Sequence, residues 1–144
     1  MQTITKVVAI QAKPSVVWKA LTHPDSMNQW MFDSKLDIIT DWRIGGAMII
    51  RGHLNGKPFE NRGVVLQFVP GRVLQYSHLS SLLNLPDTPE NHTLVGFAVT
   101  HQEDRTVVSL TLDNFPTEST YKHLAFYWTV ALDLLRRFVE KVTE

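Results

Sequence analysis

The chain contains no cysteine, which excludes disulfide staples, thiolate nucleophiles and cysteine-ligated zinc or iron–sulfur centres. It also lacks any apolar run near the ~20 residues needed to span a bilayer. The polar start Met1-Gln2-Thr3 has no signal-peptide core, so the expectation is no membrane insertion and a cytoplasmic location. An excess of one charge is missing as well. Fourteen basic side chains face fourteen acidic ones, which removes the positive field that non-specific nucleic-acid binding depends on. Nucleic acid is therefore not an expected partner. What is present is apolar material: 44% of the 144 residues are hydrophobic and 19% charged, enough for a globular chain of this size to bury about two-thirds of its unfolded surface. No linker-like stretch, charge block or repeat divides the sequence, so we read one domain over residues 1–144.

Alternation and β-branched residues from Thr3 to Gln11 predict a strand. Pro14 then suits the first turn of a short helix, with Val17, Trp18 and Leu21 on its apolar face. His23-Pro24-Asp25 stops it, and a second short helix is expected from Pro24 to about Trp30. Six strands are predicted next: Leu36 to Trp42, Ala47 to Leu54, Phe59 to Val69, Val73 to Leu79, Thr93 to Gln102 and Arg105 to Asp113. Most of the turns between them are too short for parallel crossovers, which implies an antiparallel meander. The exception is Ser80 to Asn91, a longer segment with Leu82, Leu83 and Leu85 that has the length of a functional loop. From Thr117 to Val142, the residues Leu124, Trp128, Ala131, Leu135, Phe138 and Val142 recur at helical spacing, with Thr117 as N-cap.

This order gives an α+β fold in which a curved antiparallel sheet of six to seven strands wraps a long C-terminal helix, with two short helices after the first strand. One helix cannot fill the whole hollow of such a sheet. A cavity is expected between them, with the long loop at its mouth.

Several local motifs point the same way. Ala12-Lys13-Pro14-Ser15-Val16-Val17-Trp18-Lys19-Ala20-Leu21-Thr22-His23-Pro24, Asn28-Gln29-Trp30, Asp41-Trp42-Arg43-Ile44-Gly45-Gly46, Gly63-Val64-Val65-Leu66-Gln67-Phe68-Val69-Pro70 and Leu74-Gln75-Tyr76-Ser77-His78 follow in order. Together they resemble bacterial proteins similar to the heat-shock-protein 90 ATPase activator (AHSA-type) domain, within the START-like, SRPBCC superfamily. The resemblance implies the helix-grip fold, shared with the birch-pollen allergen. It is far less specific for function, because the superfamily hosts lipid carriers, hormone receptors, polyketide cyclases and co-chaperone domains. Gln67 stands where that family usually has Glu, and His78 where it often has Trp.

Strand alternation puts Leu74, Tyr76 and His78 on one face, Val95, Phe97 and Val99 on another, and Val108, Leu110 and Leu112 on a third, all assigned inward. Trp30, Phe32, Phe59, Tyr76, His78, Phe97, Phe115, Leu124 and Trp128 are the candidate ligand-binding residues. The plainer reading of each is close-packed core. Tyr76 and His78 are the most informative, because a buried phenol or imidazole needs a partner. The six histidines show no metal-ligand spacing, and no nucleophile elbow occurs, so no metal, cofactor or catalytic residue is assigned.

Three functions compete at this point. The first is a carrier of a hydrophobic small molecule such as a lipid, polyketide or aromatic compound. The second is a cyclase- or aromatase-like enzyme. The third is a chaperone-partner or oligomeric module, for which a homodimer is a candidate assembly.

Overall fold

The computed structural model describes residues 2–143. Its elements are β1 (Ile4–Ile10), α1 (Pro14–Thr22), α2 (Pro24–Met27), β2 (Asp37–Ile39), β3 (Ala47–Leu54), β4 (Lys57–Val69), β5 (Val73–Ser80), β6 (Thr93–Gln102), β7 (Arg105–Asp113) and α3 (Glu118–Val142). Two short 3₁₀ turns, Ser81–Leu83 and Pro89–Asn91, lie between β5 and β6. All strand pairs are antiparallel, in the order β1-β7-β6-β5-β4-β3-β2. The fold is the helix-grip arrangement anticipated from the sequence.

Strand register explains where the core sits. Val65, Tyr76, Val95, Leu112 and Ile4 are successive partners across five strands. The first four are buried, so one row of side chains crosses the sheet beneath α3. A second row joins Leu74, Phe97 and Leu110. Just outside the first row, β4 and β5 come unusually close. A Cβ on Gly63 would lie 1.8 Å from the Ser77 carbonyl oxygen, and Ser77 Oγ accepts the Val64 N–H at 3.0 Å. Beyond this contact the register shifts at a bulge between Val65 and Gln67, leaving Gln67 exposed to solvent.

α3 begins at Thr117, whose side chain accepts the Thr120 N–H at 3.0 Å, and Glu118 sits at the positive end of the helix dipole. Leu124, Trp128, Ala131 and Leu135 are buried along it. Farther on, the buried position moves from Phe138 to Val139, and Val142 is 56% exposed. A spacing of alternating fours and threes drifts ~20° per heptad on a straight helix, so the stripe rotates off the sheet by the last turns.

Two elements are shorter than their sequence patterns. β2 covers only Asp37–Ile39, because Thr40 Oγ1 accepts the Trp42 N–H and Asp41 Oδ1 accepts the Arg43 N–H. These local bonds turn the chain, with Trp42 in the left-handed region at φ 57°. α2 ends at Met27, and Asn28 then clamps the Leu36 backbone with both side-chain atoms, at 2.7 and 2.9 Å.

Candidate functional site

The end of β5, the start of β6 and the first turns of α3 converge at one end of the sheet. Period-two alternation on β5 turns both Tyr76 and His78 toward the helix, and His78 pairs in register with Thr93. On α3, Ser119, His123 and Tyr127 follow at spacings of four, beside Thr120, Leu124 and Trp128. The α2–β2 connection brings Met31, Phe32 and Leu36, and β3 and β4 bring Ile50, Leu54, Phe59 and Asn61. Together these side chains enclose a pocket of about 320 Å³. Leu82 and Leu83 from the first 3₁₀ turn stand at its edge, with Ser80 and Asn91. The loop they belong to is held in place by Asn114 Nδ2, which donates to the Glu90 and His92 carbonyls at 3.0 and 2.7 Å, and by the His92–Asp87 contact at 2.6 Å.

Phe32, Phe59, Tyr76, His78, Leu124 and Trp128 line this pocket. Trp30, Phe97 and Phe115 do not. Trp30 is buried behind Trp128, with ring centroids 6.3 Å apart, and its Nε1 donates to the Ala20 carbonyl at 2.9 Å. Phe97 meets the Trp128 ring edge-to-face at 5.5 Å. Phe115 packs in the same way on Tyr121 at 4.9 Å. Trp30 and Phe97 therefore support the Trp128 wall from behind, whereas Phe115 lies away from the lining. Ser119, His123 and Tyr127 are lining residues that sequence reasoning missed. The available signal was their helical spacing one position to the side of Leu124 and Trp128.

The pocket is chemically uniform in one respect: no Asp, Glu, Lys or Arg is among its lining residues. Burial pushes the His78 ring down to about 4, assisted by nearby His92 and His123, so the imidazole is neutral at physiological pH. Burial and the neighbouring Tyr127 push the Tyr76 phenol well above its ordinary value, and burial does the same to Tyr127, whose hydroxyl donates to the Met31 carbonyl. Both phenols keep their protons. Among the described residues, no side-chain hydrogen bond takes up the Tyr76 hydroxyl or the His78 ring. Among the described residues, the one sealed side-chain polar atom left without a partner is His92 Nδ1, on a residue outside the lining. Tyr76 and His78 can thus offer a donor and an acceptor to a bound molecule. No carboxylate stands beside His78 in the lining to orient it as an acid–base group.

A second, wider depression of about 560 Å³ runs past Lys35, Asp37, Arg51, His53 and Glu60. Within it Glu60 accepts from Arg51 at 2.7 Å, and also from the adjacent Arg62 at 2.9 Å. Among the described residues, no group of three or more His, Asp or Glu is placed to hold a metal ion, and no helix is long and apolar enough to cross a membrane.

Comparison with solved structures agrees with this architecture. A protein of Cytophaga hutchinsonii, ChR145, is 34% identical, with 100% of this chain and 98% of that one covered and a TM-score of 0.82. The Aha1 dimer of Colwellia psychrerythraea is 24% identical over 97% of each chain, with a TM-score of 0.75. CalU16 of Micromonospora echinospora is 24% identical over 95% of this chain and 75% of its own, with a TM-score of 0.71. No curated protein matches the chain. Residues 11–140 match the family described as Activator of Hsp90 ATPase homolog 1-like protein, and together with the helix-grip sheet, the long C-terminal helix and the likeness to ChR145 this shows that the chain belongs to that AHSA-type, START-like family.

Proposed function

We propose that this protein is a cytoplasmic, single-domain carrier or sensor that binds a small apolar molecule between the sheet and α3. The observation that carries this reading is a space of about 320 Å³ walled by aromatic and aliphatic side chains, with unpartnered polar groups at one end. That volume corresponds to roughly ten water molecules and lies at the lower end of the range for drug-sized ligands. Phe32, Phe59, Tyr76, His78, Leu124 and Trp128 are the direct contacts in this reading, with Trp30 and Phe97 fixing the Trp128 wall.

The test is a screen of apolar compounds by thermal shift, with hits localised by methyl NMR. Binding should perturb Ile50, Val95 and Leu124, and Leu124→Trp, which fills the pocket, should abolish it. Hits that leave these methyls untouched, or that bind the filled variant equally well, would defeat the reading.

A second reading, self-association, is favoured by a specific observation. Phe126, Val130 and Leu134 recur every four residues on the outer side of α3 and are 72%, 45% and 42% exposed. The structural relative from Colwellia is described as a dimer. Light scattering on the wild type and on Phe126→Glu separates the cases: a dimer that the substitution dissociates supports this reading, and a monomeric wild type ends it.

A further inference from the structure

We propose that the pocket selects an uncharged apolar ligand bearing a hydroxyl or amide group, bonded by His78 and Tyr76, and rejects the carboxylate or ammonium counterpart of the same shape. This rests on the reading that the pocket binds a ligand at all, and it goes further by fixing the ligand's charge and polar handle.

The first argument is the composition of the lining. Every polar side chain there is neutral in kind: hydroxyls, carboxamides, phenols and imidazoles, with no Lys, Arg, Asp or Glu. An anion placed in such a site would shed its hydration without gaining a counter-ion, and a cation likewise. The cost of burying an unpaired charge far exceeds the cost of burying a hydroxyl that finds one hydrogen bond.

The second argument is placement. Ser80, Asn91, Thr93, Ser119 and His123 all come from the loop end of β5, the start of β6 and the beginning of α3. With Thr120, and with Asn61 opposite Ser80 on β4, they gather most of the polar groups at one end, while the Tyr76 and Tyr127 phenols stand farther in. Tyr76 and His78 are two residues apart on one strand face, roughly 7 Å along the strand. A molecule lying against β5 therefore meets the Tyr76 phenol and then the imidazole. Because His78 is neutral, one ring nitrogen accepts, and that nitrogen suits an O–H or N–H donor.

The test uses three bicyclic probes of matched shape, 2-naphthol, 2-methylnaphthalene and 2-naphthoate, titrated at neutral pH and followed by methyl NMR of Ile50, Val95 and Leu124. The expected result is that 2-naphthol binds about tenfold more tightly than 2-methylnaphthalene, the value of one good buried hydrogen bond, and that 2-naphthoate binds more weakly than either. His78→Leu should reduce 2-naphthol to the level of 2-methylnaphthalene, whereas His78→Gln, which keeps an acceptor, should retain part of the preference. Tyr76→Phe gives a second variant should His78→Leu fold poorly, and it should lower 2-naphthol binding while sparing 2-methylnaphthalene. If 2-naphthoate binds as well as 2-naphthol, or if the preference for 2-naphthol survives His78→Leu, the selectivity is overturned while ligand binding stands. Were none of the probes to perturb those methyls, ligand binding in this pocket and its selectivity would fall together.

Discussion

Replacing His78 with leucine should change how stability depends on pH more than it changes stability itself. The half-buried ring is held down to about 4 by desolvation, against 6.5 for the ordinary imidazole that it becomes on unfolding. The unfolded chain therefore takes up a proton at this position at higher pH than the folded chain does. Stability associated with the neutral ring is fully present above about pH 6.5 and is lost as pH falls, until the folded protein itself protonates near pH 4. Each pH unit inside that window is worth about 1.4 kcal/mol at most, so the full window amounts to on the order of 3 kcal/mol. For a chain of this length, unfolding entropy is about 0.3 kcal/mol per degree, and the loss corresponds to about 10 °C in Tm. Carboxylates such as Glu60 and Asp133, which their arginine partners hold below the usual range, also weaken the fold in acid. They do so equally in both proteins and cancel in the difference. The assay is urea unfolding followed by fluorescence of the four tryptophans, on wild type and His78→Leu, at several pH values from neutral down to mildly acidic. The two proteins should be within about 1 kcal/mol of each other at neutral pH, since leucine replaces an imidazole that has no side-chain hydrogen bond. The variant should then become the more stable of the two as pH falls. A stability difference that stays constant across the series would refute the assignment of a desolvated, neutral His78.

Other substitutions test the surroundings. Trp128→Ala removes a ring that touches Trp30, Phe97 and Tyr127 and should cost about 3–5 kcal/mol in urea unfolding; a loss under about 1 kcal/mol would mean the ring stands loosely in the wall. Gly63→Ala drives a methyl into the Ser77 backbone and should cost about 1–3 kcal/mol or more, visible as a lower Tm, and an unchanged Tm would show that β4 and β5 are not in this close register. Thr117→Ala leaves the Thr120 N–H without its cap and should cost about 1 kcal/mol, with faster amide exchange confined to the first turn of α3. Uniform exchange along α3 would argue against a local capping role.

Periodicity made the long helix and its Thr117 cap legible, because both signals are local and nothing nearby competes with them. β2 was harder. Leu36 to Trp42 carries a strand-like pattern, but Thr40 and Asp41 bond their own backbone two residues on and end the ladder early. For the pocket, alternation correctly turned Tyr76 and His78 toward the helix. It could not tell whether another side chain stands in front, and that is how Phe97, covered by Trp128, was grouped with the residues that line the space. Ser119, His123 and Tyr127 escaped notice because a helix read as one buried stripe places its flanks in solvent. Here the flank faces the hollow left where the sheet curves away from the helix.

The pairing of β1 with β7 carries a consequence for how the molecule is made. Ile10 and Ile4 find their partners at Thr106 and Leu112, so β1, made first of the seven strands, waits for the last of them. α3, which supplies Ser119, His123, Leu124, Tyr127 and Trp128 to the pocket, follows later still. Until then the inner face of the meander, which carries Val65, Tyr76, Val95 and Leu112, is without the helix that covers it. The pocket is thus completed only once α3 has been made, and a chain released before α3 would lack its wall.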